Sequence, residues 1–159
     1  MRSVQSIQLQ VSLDRFLATR PYHPCCLLVH PDVRQLQKVA EQIITWYRWP
    51  TLSIGSTLST ALLGVAPQQR PRETHAVLAT TVQRFAPGPV ICTDIDLLFD
   101  PTLALDPLRL LRDSSRSAVL IVLWPGAVAD GVLDYAVPAH AHYRTWSRSD
   151  LPAEAVVPL

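Results

Sequence analysis

Residues 25–47 read CCLLVHPDVRQLQKVAEQIITWY, a short apolar run that breaks at His30-Pro31-Asp32 and passes directly into a helical pattern. Apolar side chains recur at Val33, Leu36, Ala40, Ile43 and Tyr47, while Arg34, Lys38 and Glu41 lie off that stripe. The three- and four-residue spacing covers one face of a helix. Asp32 is placed to cap its start and Pro50 to stop it. The run at 25–29 is apolar throughout, which suits a strand covered on both faces. Strand, tight turn and helix in immediate succession is the layout in which phosphate-binding loops are built.

The flanking sequence repeats this alternation. An N-terminal helix spans 3–19, with its clearest pattern at 12–18, before Pro21 and Pro24 block continuation. After the central helix come a strand at 51–54, a brief helix at 56–64 ended by Gly64, and a proline-bounded loop at 67–71. Ala76, Val77, Val82 and Phe85 predict a helix over 72–85. Pro87-Gly88-Pro89 then punctuates, and a buried strand follows at 90–92. A helical segment at 103–112 tolerates Pro107 in its first turn. The run AVLIVL at 118–123 is a strand that stops at Trp124-Pro125-Gly126, another strand is predicted at 133–137, and the tail at 147–159 reads as frayed. Strands alternating with helices predict an α/β, three-layer fold with a mostly parallel sheet, in a single domain covering 1–159.

Composition narrows the function classes. A chain of 159 residues can bury a sizeable core, since domains of this length remove roughly 70% of their unfolded surface from water. Apolar residues at 48% against 17% charged leave surface suited to a partner. A net charge of +1 with scattered Arg supplies no basic block, so direct nucleic-acid binding is not indicated. No apolar run approaches the roughly 20 residues that span a bilayer, and the start MRSVQSIQLQ has no signal-peptide core, so a cytoplasmic location is expected. Cys25, Cys26 and Cys92 all sit in apolar segments and read as reduced core thiols.

A phosphate-binding loop GxxxxGK[ST] needs glycines so that backbone N–H groups approach the phosphates, a Lys to neutralise them and a hydroxyl for the metal. Laid onto that pattern, His30 and Gln35 fall at the glycines, Leu36 at the Lys and Gln37 at the Ser or Thr. Pro31 has no N–H, and Asp32 brings a carboxylate to the place an anion would take. Leu36 also belongs to the apolar stripe, so packing explains it. The turn therefore reads as one that does not bind nucleotide tightly, and Lys38, beyond the motif, as a solvated helix residue.

At the other candidate strand, Val90-Ile91-Cys92-Thr93-Asp94 closes on an acid, a pattern that places a carboxylate near Mg²⁺ and its phosphates. Asp94 and Asp96 are candidate metal ligands; the competing reading is that they begin the following turn. His140 and His142 beside Tyr143 lack a local third ligand. Ser114, Ser115 and Ser117 lack a G-x-S-x-G elbow, so a serine hydrolase is not supported. Trp46, Trp49, Trp124 and Trp146 read as core and interface anchors.

From residue 95 the chain reads IDLLFDPTLALDPLRLLRDSSRSAVLIVLWPG and then DGVLDYAVPAHAHYRTW. This resembles the BrxF family of small P-loop-containing proteins from BREX antiphage defence systems. The shared features are an I-E-L-L-F-D-P-like segment, L-D-P-L, a strand ending W-P-G and Y-A-x-P-x-H-x-x-Y-R. Weaker agreement covers 25–64, where W-P-x-L-x-[IV]-G corresponds to residues 49–55. The resemblance implies a P-loop NTPase-like fold and a place in a multi-protein defence complex, with its other proteins or further copies of itself as partners. The family carries an intact GxxxxGK[ST] where this chain has residues 30–37. Asp96 falls at the family's acid, Asp94 or Thr93 at the strand end, and Arg116 at a family Arg that would reach a neighbour's nucleotide. A surface Arg is the plainer reading of Arg116. The expected function is a non-catalytic subunit with no cofactor. The alternative is an atypical Mg²⁺-dependent ATP-binding protein or ATPase, in which Asp94 and Asp96 hold the metal and Arg116 or Lys38 replaces the missing Lys.

Overall fold

The computed structural model describes residues 3–136, 140–147 and 155–159. In chain order its elements are α1 (Val4–Thr19), β1 (Cys25–His30), α2 (Val33–Tyr47), β2 (Thr51–Ser53), α3 (Ile54–Ala61), α4 (Arg70–Gln83), β3 (Val90–Thr93), α5 (Pro107–Ser114), β4 (Leu120–Pro125), β5 (Val128–Ala129), β6 (Val132–Tyr135), β7 (Arg144–Ser147) and β8 (Val156–Pro158). Single 3₁₀ turns lie at Pro67–Gln69, Asp96–Phe99 and Pro101–Leu103.

Five strands form a parallel sheet in the order β2-β3-β4-β1-β8. β1 pairs with β4 in register Cys25 to Leu120 through His30 to Pro125. The unbroken apolar run of β1 now has its reason. Cys25, Leu27 and Val29 enter one core, whereas Cys26 and Leu28 enter the other, so alternate side chains serve two covered faces. The first core is roofed by α3, α4, α5 and the 3₁₀ turns, the second by α1 and α2. This is a three-layer α/β arrangement with a mostly parallel sheet.

α2 forms where its stripe predicts it. Leu36, Ala40 and Ile43 are buried against the sheet, and each large side chain among them contributes roughly 1.5–3 kcal/mol. Val33 departs from the stripe, being 52% exposed at the first helical position. On α1, Leu9, Leu13 and Phe16 face the core, while Val4, Ile7 and Val11 point away from it. Ser3 caps that helix by accepting from the Ser6 N–H.

Several boundaries differ from the sequence reading for identifiable reasons. Ile54 and Gly55 belong to α3 rather than to strand and spacer, because the Ser53 hydroxyl accepts from the Ser56 N–H and starts the helix at once. α4 begins at Arg70 and buries Thr74, Leu78 and Val82, with Ala76 exposed; the four-residue step of the true stripe includes a Thr whose hydroxyl donates to the Arg70 carbonyl. α5 starts at Pro107 rather than at 103, because Asp106 caps it by accepting from the Arg109 N–H. β4 is shifted to Leu120–Pro125.

The largest difference lies at the C-terminal end. The strand expected at 133–137 does not extend the parallel sheet: β6 joins β5 and β7 in a separate antiparallel sheet. Its final predicted residue, Val137, lies outside the described residues, as do 148–154 of the tail. Within the rest of the tail, the expectation of fraying is corrected. Val156–Pro158 pairs in parallel with β1 through Leu27 to Val156; Ala155 is buried in the α1/α2 core and Val156 in the core on the opposite face.

Candidate functional site

In an open parallel sheet, ligands sit outside the carboxyl ends of the strands where neighbouring strands lead to opposite faces. β1 leads to α2 on one face, while its neighbour β4 leads to the small sheet, whose Leu133 and Tyr135 belong to the core on the other. The crevice between His30 and Gly126 is thus where a ligand is expected, and there the two strand ends are bonded to each other. The Gly126 N–H donates to the His30 carbonyl at 3.2 Å. A Cβ on Gly126 would collide with the Asp134 carbonyl, so only glycine lets the small sheet approach this closely.

The turn after β1 satisfies much of its own backbone. The Asp32 N–H donates to His30 Nδ1 at 2.9 Å, and Asp32 Oδ1 accepts from the Arg34 N–H at 2.9 Å. The Gln35 and Leu36 N–H groups donate to the Asp32 carbonyl at 3.1 and 3.2 Å. Four donors that a phosphate loop would offer to an anion are therefore occupied, and the Asp32 carboxylate stands at the helix start. Gln35, Gln37 and Lys38 are exposed, whereas Leu36 is 3% exposed and packs in the α1/α2 core.

The exit from β3 is organised differently. Asp94 adopts a left-handed backbone (φ 54°), its carbonyl accepts from the Gly55 N–H at 2.8 Å, and its Oδ2 accepts from the hydroxyls of Ser53 (2.8 Å) and Thr93 (3.3 Å). A Cβ on Gly55 would come within 2.9 Å of the Asp94 carbonyl oxygen, which explains the glycine. Asp96 begins the next turn and accepts from the Tyr135 hydroxyl at 2.6 Å. Burial, then that bond to a carboxylate, raises the Tyr135 pKa above the tyrosine norm. The two acids thus engage different partners, with buried Ile95 between them. Among the described residues no three His, Cys, Asp or Glu gather to hold a metal.

Arg116 lies at the other edge of the sheet, ahead of β4, where its guanidinium sits 5.7 Å from the Tyr22 ring centroid and 4.0 Å from Asp113. It is not near the turn of its own chain. His140 Nδ1 accepts from the His142 N–H at 3.0 Å, and the two rings are 5.6 Å apart. The Ser114 and Ser115 hydroxyls are spent on the Leu110 and Arg112 carbonyls. Cys25, Cys26 and Cys92 are buried and unbridged, and burial pushes the Cys25 thiol up to about 12, with Arg112 opposing.

Sequence reasoning missed Ser53, Tyr135 and Asp134. Asp134 accepts from Trp124 Nε1 through its carbonyl and from the Ala127 N–H through its carboxylate, both at 2.7 Å. Phe99 stacks on Tyr135 at 3.6 Å and meets Trp124 and Trp146 edge-on, so residues from four separate segments close over the end of β4. The alternation Leu133–Tyr135, apolar inward with Asp134 between, was the available signal. No helix among the described residues is long and apolar enough to cross a membrane. No protein-family model, curated protein or solved structure matches this chain.

Proposed function

We propose that the protein is a non-catalytic, P-loop NTPase-like subunit that acts through protein contacts in a bacterial, cytoplasmic antiphage complex of the BREX type. The observation that carries the non-catalytic reading is the turn after β1, where four N–H groups are bound by the turn's own residues and the Lys position is a buried Leu36. The strand order supports the P-loop-like ancestry: β1 runs into the turn, and β3 runs into Asp94 two places away in the same sheet. The assignment to a defence complex rests on the resemblance over residues 95–146. Phe99, Trp124, Tyr135 and Trp146 all come from that stretch and pack together, as a shared fold would require. Calorimetric titration with ATP and Mg²⁺ tests the reading. No heat of binding at micromolar nucleotide is expected, and micromolar affinity overturns it.

A second reading, Mg²⁺-dependent ATP binding, is favoured by one arrangement: the exposed Asp94 carboxylate at the carboxyl end of β3 beside the hydroxyls of Ser53 and Thr93. On that reading Asp94 would bear on the metal. Asp94→Asn would then abolish any nucleotide-dependent heat, while an unchanged titration removes Asp94 from the site.

A further inference from the structure

We propose that the groove between α1, α2 and β8 docks an acidic amphipathic helix from a partner protein. This rests on the reading of the chain as a contact-making subunit and names the surface and the chemistry of what it meets. The groove encloses about 810 Å³, with α1 as one wall, α2 as the other and the β8 segment closing one side.

Its apolar element is a stripe on α1. Val4, Ile7 and Val11, at helical spacing, are 72%, 50% and 49% exposed, on the side of α1 opposite Leu9, Leu13 and Phe16. Ile7 and Val11 line the groove, and Arg15 continues the same row. A strand-facing helix has no need of a second apolar row, so this one is suited to another partner.

Charge fixes the partner's sign. Arg15 from α1 and Lys38 from α2 both line the groove, and among the described residues no Asp or Glu does. Among the described residues the ion pairs are those of Asp113 with Arg109 and Arg116, so neither Arg15 nor Lys38 pairs with a described carboxylate. Acidic side chains flanking an apolar face complement this lining.

The backbone favours a helix over an added strand. β8 is the outer strand of the sheet, and the Leu159 N–H donates inward to the Val29 carbonyl. Strand alternation therefore turns the backbone of Val156 and Pro158 outward, and of these two Pro158 has no N–H to offer an incoming strand, which leaves this three-residue edge a single donor. The walls are long and open, α1 alone running about 24 Å at 1.5 Å per residue. That shape takes a helix laid along it, in the helix-in-groove manner.

Fluorescence anisotropy with a synthetic helix of about five turns, leucines on one face and glutamates flanking them, is the test. The full chain should bind it, more weakly as salt rises. Arg15→Glu combined with Lys38→Glu should weaken binding about ten-fold or more. Both positions are exposed, so that variant should keep its melting curve; Ile7→Ser should weaken binding independently. Equal binding of a helix with lysines in place of glutamates, or unchanged affinity in the charge-reversed variant, overturns the proposal. So does a dimer in sedimentation velocity that Val11→Asp dissolves, which makes a second copy the occupant. Retention on phosphatidylserine vesicles that depends on Ile7 overturns it in favour of a membrane. The ATP titration is separate: nucleotide binding refutes the non-catalytic reading and leaves the groove result standing, whereas failure of the peptide without nucleotide binding refutes the docking site alone.

Discussion

The exits from β1 and β3 solve the same problem in opposite ways. Both leave backbone polar groups at the carboxyl edge of the sheet. At β1 the partners lie within four residues: His30, Asp32, Arg34, Gln35 and Leu36 bond to one another. At β3 they come from far along the chain: the Asp94 carbonyl accepts from the Gly55 N–H, and the Asp94 and Asp96 carboxylates accept from the hydroxyls of Ser53, 41 residues before, and Tyr135, 39 residues beyond. A turn closed locally is indifferent to the rest of the fold and has few donors left for a ligand. An exit closed at long range ties three parts of the molecule together, and its loss is felt by all of them.

Forcing the β1 turn back toward a phosphate loop carries the largest expected effect. Leu36→Lys puts an ammonium where a side chain is 3% exposed and packed in the α1/α2 core. The expected cost is about 3 kcal/mol in urea denaturation, less than for a fully trapped charge because the Lys stem can reach outward from the first turns of α2. A cost near zero would mean that the turn still tolerates a Lys, and that its closure is less committed than the hydrogen bonds imply.

Next in size is the long-range side. Tyr135→Phe removes the hydroxyl that Asp96 accepts and should cost about 1.5 kcal/mol, because the lost bond is to a charged group. It should also change the alkaline limb of stability. The folded Tyr135 pKa is raised above the ordinary 10.0, so its contribution is complete below about pH 10 and is lost as pH rises through the folded value. The buried Cys25, raised from 9.0 to about 12, begins a similar loss near pH 9 in both proteins. Urea midpoints should therefore fall together between about pH 9 and 10, and the wild type should fall more steeply above that; parallel curves throughout would deny the Tyr135–Asp96 bond.

The same local and long-range division governs what was legible in the sequence. β1, the turn and α2 were readable because periodicity, an N-cap Asp and a proline act over a few residues. Leu36 could be assigned to the core by its stripe alone. Asp94 and Asp96 could be noticed as acids after a strand, but nothing nearby indicates that one answers to Ser53 and the other to Tyr135. The small sheet was hidden for the same reason: β6 is too short to distinguish its antiparallel partners from a place in the main sheet. β8 reads as a frayed tail until β1 supplies its hydrogen bonds.

The smallest effect is also the most discriminating for function. Asp32→Ala removes the acceptor for the Arg34 N–H and the negative charge at the start of α2, which should cost about 1 kcal/mol. It frees one donor and vacates the place where an anion would sit. If Asp32 alone excluded nucleotide, the variant would acquire ATP binding in the calorimeter. None is expected, because Pro31 still has no N–H, His30 Nδ1 still accepts from the backbone N–H of residue 32, and no Lys reaches the turn from the Leu36 position. Weak binding gained by Asp32→Ala would show that a single carboxylate separates this turn from a working phosphate loop; a stability loss with no binding would show that the closure is distributed over the whole segment from His30 to Leu36.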